Sequence, residues 1–244
     1  MLVLLFLATM AAGALNAVAG GGSFILLPAL LYAGVPPVSA NATCAFAVWP
    51  ASVASAVAYR RDIVHARGGL RLLGAASLAG GLIGGLLLVK TSDSSFLRLL
   101  PWLMLLAAAT FTFGGAVAAR LPRMEGRSLS IAAALVQLLI ATYGGYFGGG
   151  MGIMMLATFT AAGMTDIHEM NGLKTVLAVV INGVALVTFI LYGAIAWRPG
   201  VVMAIGGIVG GYVGAAPARL LNPDLVRGFI IAVGWVLTAY FFLR

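Results

Sequence analysis

Long unbroken runs of apolar residues, separated by short polar interruptions, organise this chain. They cover 39–59, 70–89, 97–119, 129–147, 171–193, 200–218 and 225–243, and a further run at 2–33 is too long for one untilted crossing. A helix needs roughly 20 apolar residues to span about 30 Å of hydrocarbon, and the runs have that length. None alternates apolar and polar residues as a barrel strand would. The pattern predicts an all-α integral membrane protein with about eight hydrophobic segments. Two of them, 2–33 and 129–163, contain three consecutive glycines: Gly20, Gly21 and Gly22 in the first, and Gly148, Gly149 and Gly150 in the second. Each glycine costs about 1 kcal/mol relative to alanine inside a helix, so both segments are expected to be broken there.

The residues downstream repeat with the glycines. Gly34 returns as Gly163, Asn41 as Asn171, and the pair Gly80 and Gly84 as Gly210 and Gly214, at offsets close to 130 residues. The expectation is two homologous halves, each opening with a glycine-broken helix: a first membrane repeat at 1–121, a basic linker at 122–127 and a second membrane repeat at 128–244. Pro122 stops any helix from running through the linker. Glycine-interrupted segments at matching places in two halves point to a transporter's substrate site. The spacing leaves open whether the halves are parallel or inverted.

Composition agrees with the pattern. With 62% hydrophobic and 8% charged residues and a mean hydropathy of +1.10, the chain lacks the polar surface that a soluble domain needs. The lipid bilayer is therefore its first partner. The net charge of +8 would suggest nucleic acid in a soluble chain, but here it records topology. Arg60, Arg61, Arg67 and Arg71 face one acid, Asp62, and the loop 120–127 holds Arg120, Arg123 and Arg127 against Glu125. The positive-inside rule places both loops in the cytoplasm, and no nucleic-acid role is needed. Residues 1–19 read as mature structure rather than a signal, because no Lys or Arg precedes them and the pattern recurs mid-chain. A single cysteine, Cys44, makes neither a disulfide nor a thiolate metal site. No metal or cofactor is expected.

A helix broken inside a bilayer frees backbone groups that must meet protein or a wet cavity. The half-helices starting near Gly22 or Ser23, and near Gly150 to Gly152, would present N–H donors and positive partial charge, a combination that binds anions. Glycines at spacing four, Gly80/Gly84, Gly81/Gly85, Gly206/Gly210/Gly214 and Gly207/Gly211, read instead as helix-packing faces. Polar residues within spans are functional candidates by default. Asn16 lies one turn before the first glycine run; Asn41 with Thr43, and Asn171 with Lys174 and Thr175, follow the two broken segments. The asparagines read either as caps of helices starting at 39 and 170 or as ligand contacts. Lys174 either snorkels to the interface or neutralises an anion in a central cavity. Gln137 and Asn182 read as bonds to neighbouring helices. His168, near Asp166 and Glu169, is either a solvated loop residue or part of a proton relay. The candidate substrate contacts are thus Asn16, Gly20, Gly21, Gly22, Ser23, Asn41, Thr43, Gly148, Gly149, Gly150, Gly152, Asn171, Lys174 and Thr175.

The run from Asn16 through Gly20-Gly21-Gly22-Ser23 to Pro28 and Gly34, followed by Ala40-Asn41-Ala42-Thr43 and the basic Tyr59-Arg60-Arg61-Asp62, resembles the sulfite exporter TauE/SafE family of membrane permeases. Gly148 to Gly152, Gly163, Lys174 and the element Gly210 to Gly214 are similar to that family's second repeat. The resemblance covers nearly the whole chain. It implies a multi-pass inner-membrane permease for small sulfur-containing or organic anions such as sulfite and sulfonates, working without a nucleotide-hydrolysing partner.

The expected function is secondary transport of such an anion by alternating access. An anion channel or a structural membrane subunit is the alternative, since glycine-lined breaks also build pores. An intramembrane hydrolase using Ser23 and His168 has little support, and the chain is not expected to be an enzyme. No P-loop is present. A homo-oligomer is left open.

Overall fold

The computed structural model describes residues 1–18, 23–58, 67–120, 127–218 and 223–243. Among them, all regular structure is helical. The helices are α1 (Leu2–Val18), α2 (Ser23–Tyr32), α3 (Pro37–Ala58), α4 (Arg67–Lys90), α5 (Asp93–Arg120), α6 (Arg127–Tyr146), α7 (Met151–Ala161), α8 (Ile167–Leu191), α9 (Trp197–Ala218) and α10 (Pro223–Leu243). Four stretches of described helix are long and apolar enough to cross a membrane: Pro37–Val57, Arg71–Lys90, Asp93–Arg120 and Ile167–Leu191. The long apolar run 2–33 holds α1 and α2, and 129–163 holds most of α6 and all of α7.

Local chemistry sets the helix ends. Gly34 and Gly163 both have positive φ, at 79° and 85°. Each follows a helix whose last carbonyls it helps to satisfy. Gly34 N–H donates to Leu31 O and Val35 N–H to Leu30 O, both at 3.1 Å; Gly163 N–H donates to Thr160 O and Met164 N–H to Phe159 O, both at 3.0 Å. This paired arrangement is the Schellman ending, which favours glycine in the left-handed position. The repeated Gly34 and Gly163 are therefore helix stops. Asn41 and Asn171 do not begin their helices, contrary to the capping expectation. The first turn of α3 is held by Asp93, whose Oδ1 accepts the Val38 N–H at 2.9 Å. The first turn of α8 is held by Asp166, whose Oδ1 accepts the N–H groups of His168 at 2.8 Å and Glu169 at 3.3 Å. A short acid accepting first-turn amides is the usual N-cap device.

The chain packs as two compact units. One comprises Met1–Ala51, Val89–Ala108 and Phe189–Arg244; the other comprises Ser52–Leu88 and Ala109–Thr188. In the first unit α9 lies on α1 and α3. A methyl group added at Gly206 would come within 2.7 Å of Phe6 O, one at Gly210 would strike Met10 O, and one at Gly207 would come within 3.3 Å of Ala47 O. In the second unit α4 lies between α6 and α8. A methyl group at Gly80 would fall 2.6 Å from Leu138 O, one at Gly84 would strike Thr142 O, and one at Gly81 would fall 2.7 Å from Ile181 O. At Gly85 it would reach 3.1 Å from Ala185 Cα. The spacing-four glycines at these positions thus let backbones meet closely, as small residues do in membrane bundles. The rest of the second unit's interior is a cluster of Ile140, Ala141, Met151, Met155, Phe159, Met170, Leu173, Leu177 and Ile181.

Candidate functional site

The second glycine run interrupts the helix. Helix α6 ends at Tyr146, and α7 begins at Met151. Between them Gly148 and Gly150 adopt φ of 87° and 79°, a conformation that L side chains rarely take. Gly150 sits at the N-cap position of α7 and supplies no side-chain acceptor. Its carbonyl accepts the Ile153 N–H at 3.1 Å and the Met154 N–H at 3.3 Å. Among the described residues, no acceptor faces the N–H groups of Gly150, Met151 or Gly152. These are the orphan donors that a helix start leaves behind, at its electropositive end.

Tyr143 fastens the turn to α6. Tyr143 O accepts the N–H groups of Phe147 at 2.8 Å and Gly148 at 3.3 Å, and the Tyr143 hydroxyl donates to Gly149 O at 2.6 Å. The Tyr143 ring also packs at a tilt on Phe147, with centroids 6.0 Å apart. Helix α7 is then seated by its apolar face, since Met151, Met155 and Phe159 recur every four residues and all are buried. Gln137, fully buried on α6, donates from Nε2 to Ser77 Oγ of α4 at 2.9 Å and to Met155 Sδ of α7 at 3.4 Å. It binds neighbouring helices, as its position within an apolar span suggested. Its Oε1 has no hydrogen-bond partner among the described residues.

Helix α8 brings a cation to this turn. The stem of Lys174 crosses Gly152, where an added methyl group would lie 3.3 Å from Lys174 Cδ. Lys174 Nζ donates to Asn171 Oδ1 at 2.7 Å. Asn171 in turn donates from Nδ2 to Ile167 O at 2.9 Å, and its own carbonyl accepts the Thr175 hydroxyl at 2.7 Å. Asn171 is a neutral partner, so this contact fixes the ammonium without cancelling its charge. Gly152 and Lys174 are thereby brought together, with Asn171 holding the Lys174 head, while Thr175 bonds back to the α8 backbone. His168 is exposed at the start of α8.

The first-half candidates fall differently. Gly20, Gly21 and Gly22 lie outside the described residues, as do the side chains of Asn16 and Ser23. Asn41 and Thr43 are buried in α3, within the first unit. Thr43 Oγ1 accepts the Ala196 N–H at 2.9 Å, which ties the approach to α9 onto α3. Phe46, one turn on, meets Trp197 edge-to-face with centroids 5.4 Å apart. Tyr143 was missed from the sequence because an aromatic residue near the end of an apolar helix usually marks packing or an interface. The available signal was its place one turn before three glycines.

Comparison with known proteins gives the chain its family. A probable membrane transporter protein of Haemophilus influenzae is 31% identical over 241 residues, covering 98% of this chain and 93% of that protein. The probable membrane transporter protein ORF9 of a Sinorhizobium species is 26% identical over 96% of this chain and 89% of its own length. The probable membrane transporter protein YfcA of Escherichia coli K12 is 26% identical over 98% of this chain and 88% of its own length. No solved structure matches the chain. The sulfite exporter TauE/SafE family model matches residues 5–241. This multi-pass membrane protein therefore belongs to the sulfite exporter TauE/SafE family of membrane transporters.

Proposed function

We propose that the protein is a secondary transporter moving small sulfur-containing anions, such as sulfite or sulfonates, across the inner membrane by alternating access. The observation that carries this reading is the first turn of α7, where N–H donors that meet no acceptor among the described residues lie beside the stem of Lys174. Helix α7 has 11 residues, so at 1.5 Å per residue it is about 16 Å long, roughly half of a 30 Å hydrocarbon core. In this reading the half-length helix would start near the midplane, where carriers keep their substrates and where half-helix N-termini point at anionic groups. An oxyanion there would collect amide donors, the α7 dipole and one ammonium, each worth more in a water-poor setting than at a surface. The family's name favours sulfite among the anions this chemistry would accept.

The same proposal includes two homologous repeats, α1–α5 and α6–α10, joined by the linker at 122–127. Matched packing supports it. The Gly80 approach to Leu138 O and the Gly210 approach to Met10 O are related by the offsets that relate the two halves in sequence. The fourth helix of each repeat, α4 or α9, packs on the first and third helices of the other repeat. The proposal extends to Asn16, Gly20, Gly21, Gly22, Ser23, Asn41 and Thr43 as substrate contacts of the first repeat.

Flux of radiolabelled sulfite into proteoliposomes tests the reading. The wild-type protein is expected to show saturable uptake with counter-transport, which separates a carrier from a pore. Lys174→Ala is expected to lower uptake at least tenfold, since losing a charge-assisted contact to an anion costs about 1.5–3 kcal/mol. Unchanged sulfite, sulfonate and sulfoacetate uptake in Lys174→Ala would remove the site.

A further inference from the structure

Tyr143 engages both ends of the glycine turn. Its backbone carbonyl takes the two N–H groups that close α6, from Phe147 and Gly148, while its hydroxyl reaches six residues ahead to Gly149 O. The second contact bears on the donors. The peptide between Gly149 and Gly150 is planar and trans, so its C=O and N–H point in opposite directions. A hydroxyl holding the Gly149 oxygen therefore turns the Gly150 N–H away from Tyr143. That N–H then joins those of Met151 and Gly152, none of which has an acceptor among the described residues.

Glycine needs such a restraint more than any other residue. With no Cβ it samples positive and negative φ about equally, and Gly148, Gly149 and Gly150 stand in succession. Left to its own preferences, the Gly149–Gly150 peptide would flip readily and scatter the donor. A part-buried 2.6 Å hydrogen bond opposes that flip. In the sequence, the position 128 residues before Tyr143 is Leu15, which carries no hydroxyl.

We infer that Tyr143 is a positioning residue for anion recognition: its hydroxyl locks the Gly149–Gly150 peptide so that the Gly150 N–H faces the bound oxyanion. The inference rests on the proposed anion site at the start of α7. Tyr143 itself does not touch the anion, and it acts by removing a conformational choice before binding.

Steady-state uptake of radiolabelled sulfite by Tyr143→Phe proteoliposomes, measured beside Lys174→Ala, tests this. Tyr143→Phe keeps the ring and removes only the donor, so the expected result is a rise in KM of about fivefold to tenfold. Vmax should stay within twofold, and the ligand-free melting temperature should fall by no more than the few degrees that one lost hydrogen bond costs. Gly150→Ala, which opposes the positive φ at the same peptide, should raise KM in the same direction. An unchanged KM in both variants overturns the role of Tyr143 while a defective Lys174→Ala leaves the anion site standing. A fall in Vmax and melting temperature at constant KM also overturns it, since that is what a purely structural tyrosine would give. If Lys174→Ala has wild-type KM and Vmax, the site itself is gone and the inference goes with it.

Discussion

Two glycines on one helix should respond in opposite directions to the same substitution. Gly74 and Gly81 lie two turns apart on α4. A methyl group at Gly74 meets nothing within 4 Å, whereas at Gly81 it lands 2.7 Å from Ile181 O and 3.0 Å from Ile181 Cα. Relaxed contacts to carbon need about 3.5 Å, so α4 would have to retreat from α8 by several tenths of an ångström. It cannot retreat freely, because a methyl group at Gly145 of α6 would itself lie 2.6 Å from Gly81 O, so α6 closes the other side. Overpacking against backbone typically costs about 1–3 kcal/mol, and confinement on two sides puts Gly81→Ala in the upper part of that range. The gain in helix propensity, about 1 kcal/mol, offsets part of it and leaves a net loss of about 1–2 kcal/mol. Gly74→Ala keeps the propensity gain alone. At about 2–4 °C per kcal/mol for a chain of this size, Gly81→Ala should melt several degrees below wild type and Gly74→Ala a few degrees above it. Thermal unfolding of the detergent-purified variants, followed by tryptophan fluorescence, reads both. Equal shifts, or a Gly81→Ala protein as stable as Gly74→Ala, would refute the claim that α4 is wedged by its glycines.

Other consequences are as direct. Asp93→Ala should cost about 1 kcal/mol and a few degrees in the same melt, because the Val38 N–H loses its acceptor; Asp93→Asn, which keeps an oxygen there, should recover most of it. Residues 1–121 and 128–244 made separately should each be extracted as aggregates, and co-expression should restore a monodisperse complex on size exclusion. A monodisperse first half by itself would contradict the packing of α4 on α6 and α8.

Some of this was legible in the sequence, and the reasons are local. Three successive glycines penalise a helix wherever it lies, so the break at Gly148 to Gly150 could be read without a structure. Glycine at every fourth position announces close backbone approach, and Gly80, Gly84, Gly206 and Gly210 all make one. What such a stripe does not announce is its partner. Nothing in α4 names α6 and α8, and nothing in α9 names α1 and α3, because any smooth apolar helix satisfies the same pattern. The Asp93 bond to Val38 spans 55 residues and was invisible for that reason. The Asp166 cap was visible: Asp166 with Glu169 three residues later is a capping signature. Lys174 stood out as a charge in an apolar helix, but its seat on Gly152 required two helices to be placed together.

The crossed packing also governs the order in which the protein can be completed. Helix α1 is made about 200 residues before α9, to which the surface it rests on belongs. At about 5–20 residues per second of synthesis, the first helix waits on the order of 10–40 s for its neighbour. During that interval its close-packing face stands against lipid or the insertion machinery. Helix α4 waits in the same way for α6 and α8, so both units close only when most of the chain has entered the bilayer. Premature termination or slowed translation late in the message should therefore leave a wholly unfinished protein rather than a finished first part.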